Sequence, residues 1–282
     1  DSNINSASTE SEALTEDSGG TFDSTFSEES QEISSAYWST LLNLGYLSPL
    51  SKTTSYDVRL IFSNRANTEI EIYDFDTAMA ELGYSFYTGP IQWRGAGRYQ
   101  FVQLNGEDFL DVTSFQAQSY WRLRSGFTYG FAMNYGESTY ATDDDADITQ
   151  QQYTFSLISA PKKTSWTLSL TFGDDEPADK VNNEHNGKSY QGFNYRSTTL
   201  WGSRGSRYWL LGINSTEYDA LNPAYPSALR KDQTINYGYG WRYAFTSSFS
   251  IRNDYGLSYT DSELDIYTYK RAKVEFGLTY SF

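Results

Sequence analysis

Apolar and polar residues alternate along most of the chain with a period of two. The stretch after Gln233 shows the pattern best, because the apolar or aromatic residues at every second position from Ile235 to Phe245 are separated by Asn, Gly, Arg and Ala. Successive side chains of a β-strand point to opposite faces, so such a stretch predicts a strand with one apolar face. The same alternation recurs in residues 127–135, 166–172 and 249–259.

The alternation predicts thirteen strands, and the connections between them alternate in length. The strands span about 34–48, 54–65, 72–87, 91–104, 108–122, 126–139, 149–159, 164–173, 189–202, 206–217, 231–245, 247–259 and 266–282. Every second connection is a short turn, and the others are mostly longer, acidic and rich in Asp, Asn and Gly. Short periplasmic turns and long extracellular loops are typical of Gram-negative outer-membrane barrels. We therefore predict an all-β fold, an antiparallel transmembrane β-barrel located in the outer membrane.

The parity of the strand count predicts one further strand. Bacterial single-chain barrels have even strand numbers, so we expect about fourteen strands, the first made by Asp1–Ser8 and paired with the last strand near Phe282. Residues 9–32 would then form an acidic loop or a plug-like segment, although their Ser, Thr, Glu and Asp content favours disorder. Eight residues are few for a tilted strand. Residues 1–282 thus form a single barrel domain whose first strand is short, or the C-terminal domain of a longer polypeptide.

The aromatic residues fit a membrane barrel better than a soluble sheet protein. They make up 17% of the chain, yet 20% of the residues are charged, and no apolar run approaches the length of a membrane-spanning helix. A soluble β-sandwich or propeller is the alternative. Amphipathic rings concentrate at membrane interfaces, and six Trp residues lie within about five residues of a predicted short turn, as expected for an aromatic girdle. They are Trp93, Trp121, Trp166, Trp201, Trp209 and Trp241.

The net charge of −15 belongs to the predicted loops. Residues 1–32 carry nine acids and no base, residues 143–147 add four acids, and residues 174–188 hold five acids against two Lys. These segments account for the whole net charge, so the rest of the chain is close to neutral. Such an acidic surface argues against nucleic acid as a partner.

The residue inventory gives little support for catalysis or for a metal site. There is no Cys and only one His, His185, which lies in a polar predicted loop without an evident nucleophile beside it. The run Asp143–Asp147 offers oxygen ligands for Ca²⁺ or Mg²⁺ but lacks the Gly and the terminal Glu of an EF-hand loop. A solvated loop tip is the simpler interpretation, and ions that bridge lipopolysaccharide are the alternative. We predict no enzyme activity, no cofactor and no metal.

The polar phase of the strands predicts a cationic lumen. If the apolar phase faces lipid, with Tyr237, Tyr239, Phe276 and Leu278 outward, nine bases face inward: Arg59, Arg94, Arg98, Arg122, Arg196, Arg242, Arg252, Arg271 and Lys273. Four acids accompany them, Asp57, Glu81, Asp254 and Glu275. A cationic wall favours anions, so we expect an anion preference that weakens when Arg94, Arg98 and Arg242 become Gln and changes little when Asp143–Asp145 are neutralised. The alternative is that bases and acids pair to stabilise the wall, with Asp57, Arg59, Arg252 and Asp254 as a structural network.

Both ends of the chain resemble known outer-membrane barrels. The ending Val274–Phe282 alternates apolar residues and finishes on an aromatic one, and thus resembles the C-terminal signal that the barrel assembly machinery recognises, with Phe276, Leu278, Tyr280 and Phe282 as its residues. Length and strand count resemble monomeric fourteen-stranded porins of the outer membrane porin G type. The opening Asp1–Asn5 is similar to the first strand of barrels that follow periplasmic tetratricopeptide repeats, as in surface lipoprotein assembly modifiers and some exopolysaccharide exporters.

These observations leave three functional hypotheses. We favour an outer-membrane channel for small solutes or an extended polymer. The second is an export barrel for polysaccharide or surface lipoprotein, which works with an upstream periplasmic repeat domain, as the resemblance at Asp1–Asn5 implies. The third is a closed structural or adhesive barrel. The expected partners are outer-membrane lipid and lipopolysaccharide, the barrel assembly machinery and, for the export hypothesis, the repeat domain or another export partner.

Overall fold

The computed structural model describes residues 13–15, 21–23, 37–68, 74–141, 147–159, 161, 163–180, 183–221 and 228–280. The strands are β1 Ala13–Thr15, β2 Thr21–Asp23, β3 Tyr37–Pro49, β4 Thr54–Asn67, β5 Phe75–Thr88, β6 Ile91–Leu104, β7 Glu107–Arg122, β8 Phe127–Tyr140, β9 Ile148–Ser159, β10 Thr164–Pro177, β11 Lys188–Trp201, β12 Gly205–Tyr218, β13 Lys231–Ala244, β14 Phe249–Ser262 and β15 Tyr269–Tyr280. Two 3-10 helices, Glu184–Asn186 and Asp265–Tyr267, lie in the long connections. Within these residues no helix is both long and apolar enough to span a membrane.

Strands β3–β15 match the thirteen strands predicted from the alternation, and the all-β antiparallel fold class is confirmed. The ends differ by a few residues. The largest difference is in β10, which continues through the acidic residues Asp174–Glu176 to Pro177 instead of ending at 173. Acidic residues suggest a loop, but Asp175 lies opposite Lys188 and forms an ion pair with it at 3.2 Å. The cross-strand pair therefore extends the ladder beyond the apolar part of the strand.

Strands β3–β15 form one 13-stranded sheet in which each strand is antiparallel to its neighbour in sequence. Strands β1 and β2 form a separate two-stranded sheet within the segment predicted as an acidic loop or plug. The predicted fourteenth strand, Asp1–Ser8, lies outside the described residues.

The two edges of the large sheet come together through their side chains. No backbone ladder joins β3 to β15 within the described residues. The Tyr37 hydroxyl of β3 nevertheless donates a 2.6 Å hydrogen bond to Glu275 of β15, and the Lys273 ammonium lies 5.7 Å from the Tyr37 ring centroid. Two opposite edges can meet in this way only if the sheet curls almost fully around. The sheet is therefore barrel-shaped, and these side chains lie on its concave face.

The strand register extends this assignment to every strand, because residues opposite each other share a face. Glu275 lies opposite Asp254, and Asp254 lies opposite Gly240, so the polar phase is the concave one. The convex phase is apolar and exposed, for example at Phe276 and Leu278. Among the described residues only Ala96 and Leu264 are buried hydrophobic residues. The fold therefore has an apolar outer surface and a polar interior in place of an apolar core.

Candidate functional site

The concave wall carries all nine bases that the sequence predicted for the lumen. The four predicted acids share this face. The structure adds two bases and two acids, which are Arg65, Lys188, Asp175 and Asp232. These were missed because they lie at strand ends, although each continues the polar phase of its strand. Bases and acids are added equally, so the excess of bases on this face is unchanged.

On β4–β6 four of the lumenal charges form one connected network of ion pairs. One guanidinium nitrogen of Arg94 lies 2.7 Å from the Asp57 carboxylate and 2.6 Å from that of Glu81. Arg98 binds the other oxygen of Glu81 at 2.8 Å, and the Glu81 side chain is only 3% exposed. We name Asp57, Glu81, Arg94 and Arg98 the paired wall. It supports the structural alternative for these two arginines, although Asp57 binds Arg94 and not Arg59 as the sequence suggested.

A glycine makes the paired wall possible. Gly83 of β5 lies between Asp57 of β4 and Ala96 of β6 in the register. A Cβ placed on Gly83 would lie 2.6 Å from both the Arg94 guanidinium and the Asp57 carboxylate. The ion pair therefore passes directly over β5, and any larger residue at position 83 would displace it.

On β11–β15 the arginines are arranged differently. Arg242 and Arg252 occupy directly opposite positions on β13 and β14. Arg242 donates to the Ser250 hydroxyl at 2.9 Å, and Arg252 lies 3.7 Å from Asp254. Like charges at directly opposite positions destabilise a sheet. We name Arg242 and Arg252 the arginine pair.

The other lumenal bases differ in whether they contact an aromatic ring, a carboxylate or neither. The Arg196 guanidinium stacks over the Tyr208 ring at 4.8 Å, and the Tyr208 hydroxyl donates to Asp254 at 2.8 Å. Lys273 forms an ion pair with Glu275 at 2.9 Å. Arg59 and Arg122 are exposed on the lumen wall. Within the described part of the chain, no carboxylate lies within ion-pair distance of Arg59, Arg122, Arg196 or Arg242.

Between these regions, the middle of β7–β10 presents an uncharged polar surface. Gln116 donates to Asn134 at 2.7 Å, and Asn134 donates to Gln152 at 3.1 Å. Further along, hydroxyls of β9 and β10 contact each other, with Ser156 and Ser169 3.0 Å apart. The sequence analysis followed charged residues and so missed this ladder, whose signal was uncharged polar residues in the inward phase. The lumen charge is therefore unevenly distributed around the wall.

The long-connection end of the lumen holds a second cluster that the sequence did not predict. Arg230 forms an ion pair with Asp232 at 2.7 Å and stacks over the Tyr267 ring at 3.4 Å. Asp232 also accepts a 2.6 Å hydrogen bond from Ser262. These contacts tie the β12–β13 connection to the β14–β15 connection at the rim.

The short-turn end, in contrast, is basic. Its described turn residues include Lys52, Arg124, Lys163 and Arg204, with no acid among them. Arg242 and Arg252 lie close to this rim, since β13 ends at Ala244 and β14 begins at Phe249. An anion approaching this mouth would meet the arginine pair near the entrance.

The predicted aromatic girdle and the C-terminal signal lie on the convex face. All six tryptophans occupy the apolar phase near the short turns. The Trp93 indole donates to Thr88 at 2.8 Å, and Trp201 and Trp241 lie 6.4 Å apart. Phe276, Leu278 and Tyr280 project from β15 and are 65%, 65% and 70% exposed. Phe282 lies outside the described residues.

The described residues contain no group of His, Asp and Glu that could hold a metal ion. His185 lies in the 3-10 helix Glu184–Asn186 in a long connection. The run Asp143–Asp145 is outside the described residues, so its predicted role as a solvated tip or an ion bridge stays a prediction.

The fold is shared with solved outer-membrane proteins. No protein-family model and no curated protein matches the sequence. OmpT of Vibrio cholerae with its loop L8 deleted is 9% identical, with a TM-score of 0.53 over 86% of this chain and 97% of that one. OmpT folded in vitro is 8% identical, with a TM-score of 0.51 over 86% and 94%. A bacterial polysaccharide outer membrane secretin, 12% identical over 86% and 91%, has a TM-score of 0.47, which is too low to support a shared fold. The chain therefore has the fold of a Gram-negative outer-membrane β-barrel.

Proposed function

We propose that the protein is an outer-membrane channel whose lumen favours anions and passes small solutes or an extended polymer. The observation that carries the proposal is the set of four lumenal arginines without an acid partner in the described residues: Arg59, Arg122, Arg196 and Arg242. Fixed charge inside a pore acts on permeating ions more strongly than loop charge, which salt screens within about 8 Å. The lumen charge should therefore outweigh the net charge of −15.

The width expected for this barrel supports passage. Barrels of about eight strands are filled by side chains, whereas those of about sixteen enclose a water channel. The 13 strands of the large sheet lie nearer the second class. The proposal assigns no catalytic role, cofactor or metal to the chain. It places lipid and lipopolysaccharide against the convex face, and the barrel assembly machinery at β15.

The test is the reversal potential of the protein in a planar bilayer under a KCl gradient. We expect an anion preference in the unmodified protein and its loss when Arg59→Gln, Arg122→Gln and Arg242→Gln are combined. Changing Arg94 and Arg98 to Gln is a less suitable test of selectivity, because their removal would leave Asp57 and Glu81 uncompensated.

The matched control removes an ion pair without changing the net charge. Glu81→Gln combined with Arg98→Gln should leave the reversal potential unchanged, as should neutralising Asp143–Asp145. A cation preference in the unmodified protein would overturn the proposal. The absence of any conductance would instead favour a gated export barrel or a closed barrel.

A further inference from the structure

A cavity of about 620 Å³ lies against the concave face of β12–β15. This volume is in the range of small-molecule sites. Glycines line part of its floor, and a Cβ placed on Gly256 would meet only the Cβ of Lys273, at 3.8 Å. Two consecutive strands thus place bare backbone at Gly238 and Gly256, which are opposite each other in the register. The missing side chain of Gly256 keeps this part of the wall open, whereas a Cβ on Gly238 would meet the Leu210 side chain at 3.3 Å.

The cavity lining offers both hydrogen-bond donors and acceptors. Tyr208 and Asp254 form one hydrogen-bonded pair, and the Ser258 hydroxyl donates to the side-chain amide oxygen of Asn236 at 2.7 Å to form another. Lys273 and Arg271 add cationic donors, and Glu275 adds acceptors. A lining with this mixture matches a ligand that carries several hydroxyl groups, because each hydroxyl both donates and accepts.

The arginine pair lies immediately beside this cavity, toward the short-turn rim. Arg242 is two positions along β13 from Gly240, which lies opposite the lining residue Asp254. The Arg252 side chain passes over Gly277 of β15, whereas Arg242 reaches toward Ser250 of β14, so an acidic group bound here would lie between two guanidinium groups. Guanidinium groups bind carboxylate, phosphate and sulfate through paired hydrogen bonds.

We propose that the cavity and the arginine pair together form a binding site for a hydroxyl-bearing organic anion of about monosaccharide size. The acidic group binds Arg242 and Arg252, and the hydroxyl groups bind the polar lining between Tyr208 and Ser258. This inference deepens the proposed function, since it identifies the class of solute that an anion-favouring lumen would retain. It does not involve the paired wall of β4–β6.

The first experiment is isothermal titration of the full chain, folded in detergent, with three probes at equal ionic strength. Galacturonate carries a carboxylate and hydroxyls, acetate carries the carboxylate alone, and glucose carries hydroxyls without charge. We expect galacturonate to bind at least about tenfold more tightly than either of the others, a difference of about 1.4 kcal/mol. Equal binding of galacturonate and acetate would overturn the proposal, and so would equal binding of galacturonate and glucose.

Three variants separate a defined site from general lumen charge. Arg242→Gln with Arg252→Gln should weaken galacturonate binding about tenfold or more. Gly256→Val should also weaken it, because its side chain fills the cavity without changing any charge. Arg124→Gln removes a base from the β7–β8 turn on the same rim and should leave the affinity unchanged. If Arg124→Gln weakens binding as much as the change at the arginine pair, the site does not exist. Circular dichroism of each variant verifies that the barrel is folded.

The outcomes distinguish this inference from the proposed function. Titration does not require conductance, so selective galacturonate binding without anion-favouring current would leave the site in place and overturn the channel. An anion-selective current without selective galacturonate binding would support the channel and overturn the site.

Discussion

Two parts of the lumen wall use the same residue types to opposite effect. In the paired wall of β4–β6, Arg94 and Arg98 surround a carboxylate that is 3% exposed, and all four charges of this cluster have a partner. On β13–β14, Arg242 faces Arg252, and the nearest carboxylate contact is 3.7 Å long. The first arrangement strengthens the wall. We expect the second to weaken the wall locally and, under the proposed function, to leave positive charge available to solutes.

The number of bases in the inward phase therefore does not predict how much of the lumen charge is free of partners. The free charge depends on which residues the strand register places side by side. A glycine at position 83 lets a carboxylate reach across a strand to Arg94, whereas the register of β13 and β14 sets two arginines together. Under the proposed function, stability and anion selectivity therefore depend on different parts of the lumen wall.

The largest effect is expected from Glu81→Gln in the paired wall. This change removes the carboxylate that both arginines bind, and it should lower the free energy of unfolding by about 2–3 kcal/mol, as for other buried charged hydrogen bonds. Urea unfolding of the barrel in lipid vesicles measures it. The matched control is Glu217→Gln, which breaks an exposed pair with Lys231 at 2.7 Å and should cost about 0.5 kcal/mol or less. Equal losses for the two variants would mean that the paired wall is not a stabilising network.

A smaller effect of opposite sign is expected from Arg242→Gln. Removing one of two facing like charges should raise the free energy of unfolding by about 0.5 kcal/mol at low salt, and the gain should vanish in concentrated salt, which screens the repulsion. Urea unfolding at two salt concentrations tests this. Arg122→Gln is the control, since Arg122 lies opposite the uncharged Thr128 and should show no gain. Destabilisation by Arg242→Gln would show that the two arginines do not repel each other.

The smallest effect concerns Asp219, which lies just beyond β12 in an acidic connection. Partial desolvation of this exposed residue raises the pKa of its carboxyl above the usual range, and the neighbouring Asp174 and Glu184 raise it further. The folded state therefore binds this proton more tightly than the unfolded chain, so its contribution to stability is present at low pH and is lost as pH rises through the raised pKa. Carboxyl NMR titration should show a lower Asp219 pKa in Glu184→Gln. An unchanged Asp219 pKa would show that Glu184 does not raise it.

The alternation of the sequence was sufficient to predict β3–β15, because one-sided burial requires a period of two wherever a strand faces lipid. The prediction was less accurate at the strand ends near the long connections. There β10 continues beyond its apolar residues, and the Asp175–Lys188 ion pair supports the extension. The inward placement of the bases also follows from the alternation. Their partners do not, because Arg94 reaches Asp57 across an intervening strand and is 37 residues away from it in sequence. Such contacts depend on strand register and on side-chain reach, which a single sequence does not specify.

The contact between Tyr37 and Glu275 has a consequence for the order of folding. Every other neighbour in the sheet is also a neighbour in the chain, so the strands can add one after another by short loop closures. Tyr37 and Glu275 are 238 residues apart. Among the described strands, circularisation is thus the step that must wait for all the others, and a sheet caught before it would be an open ribbon. Within the described residues, the contacts that complete this late step are made by side chains of β3 and β15.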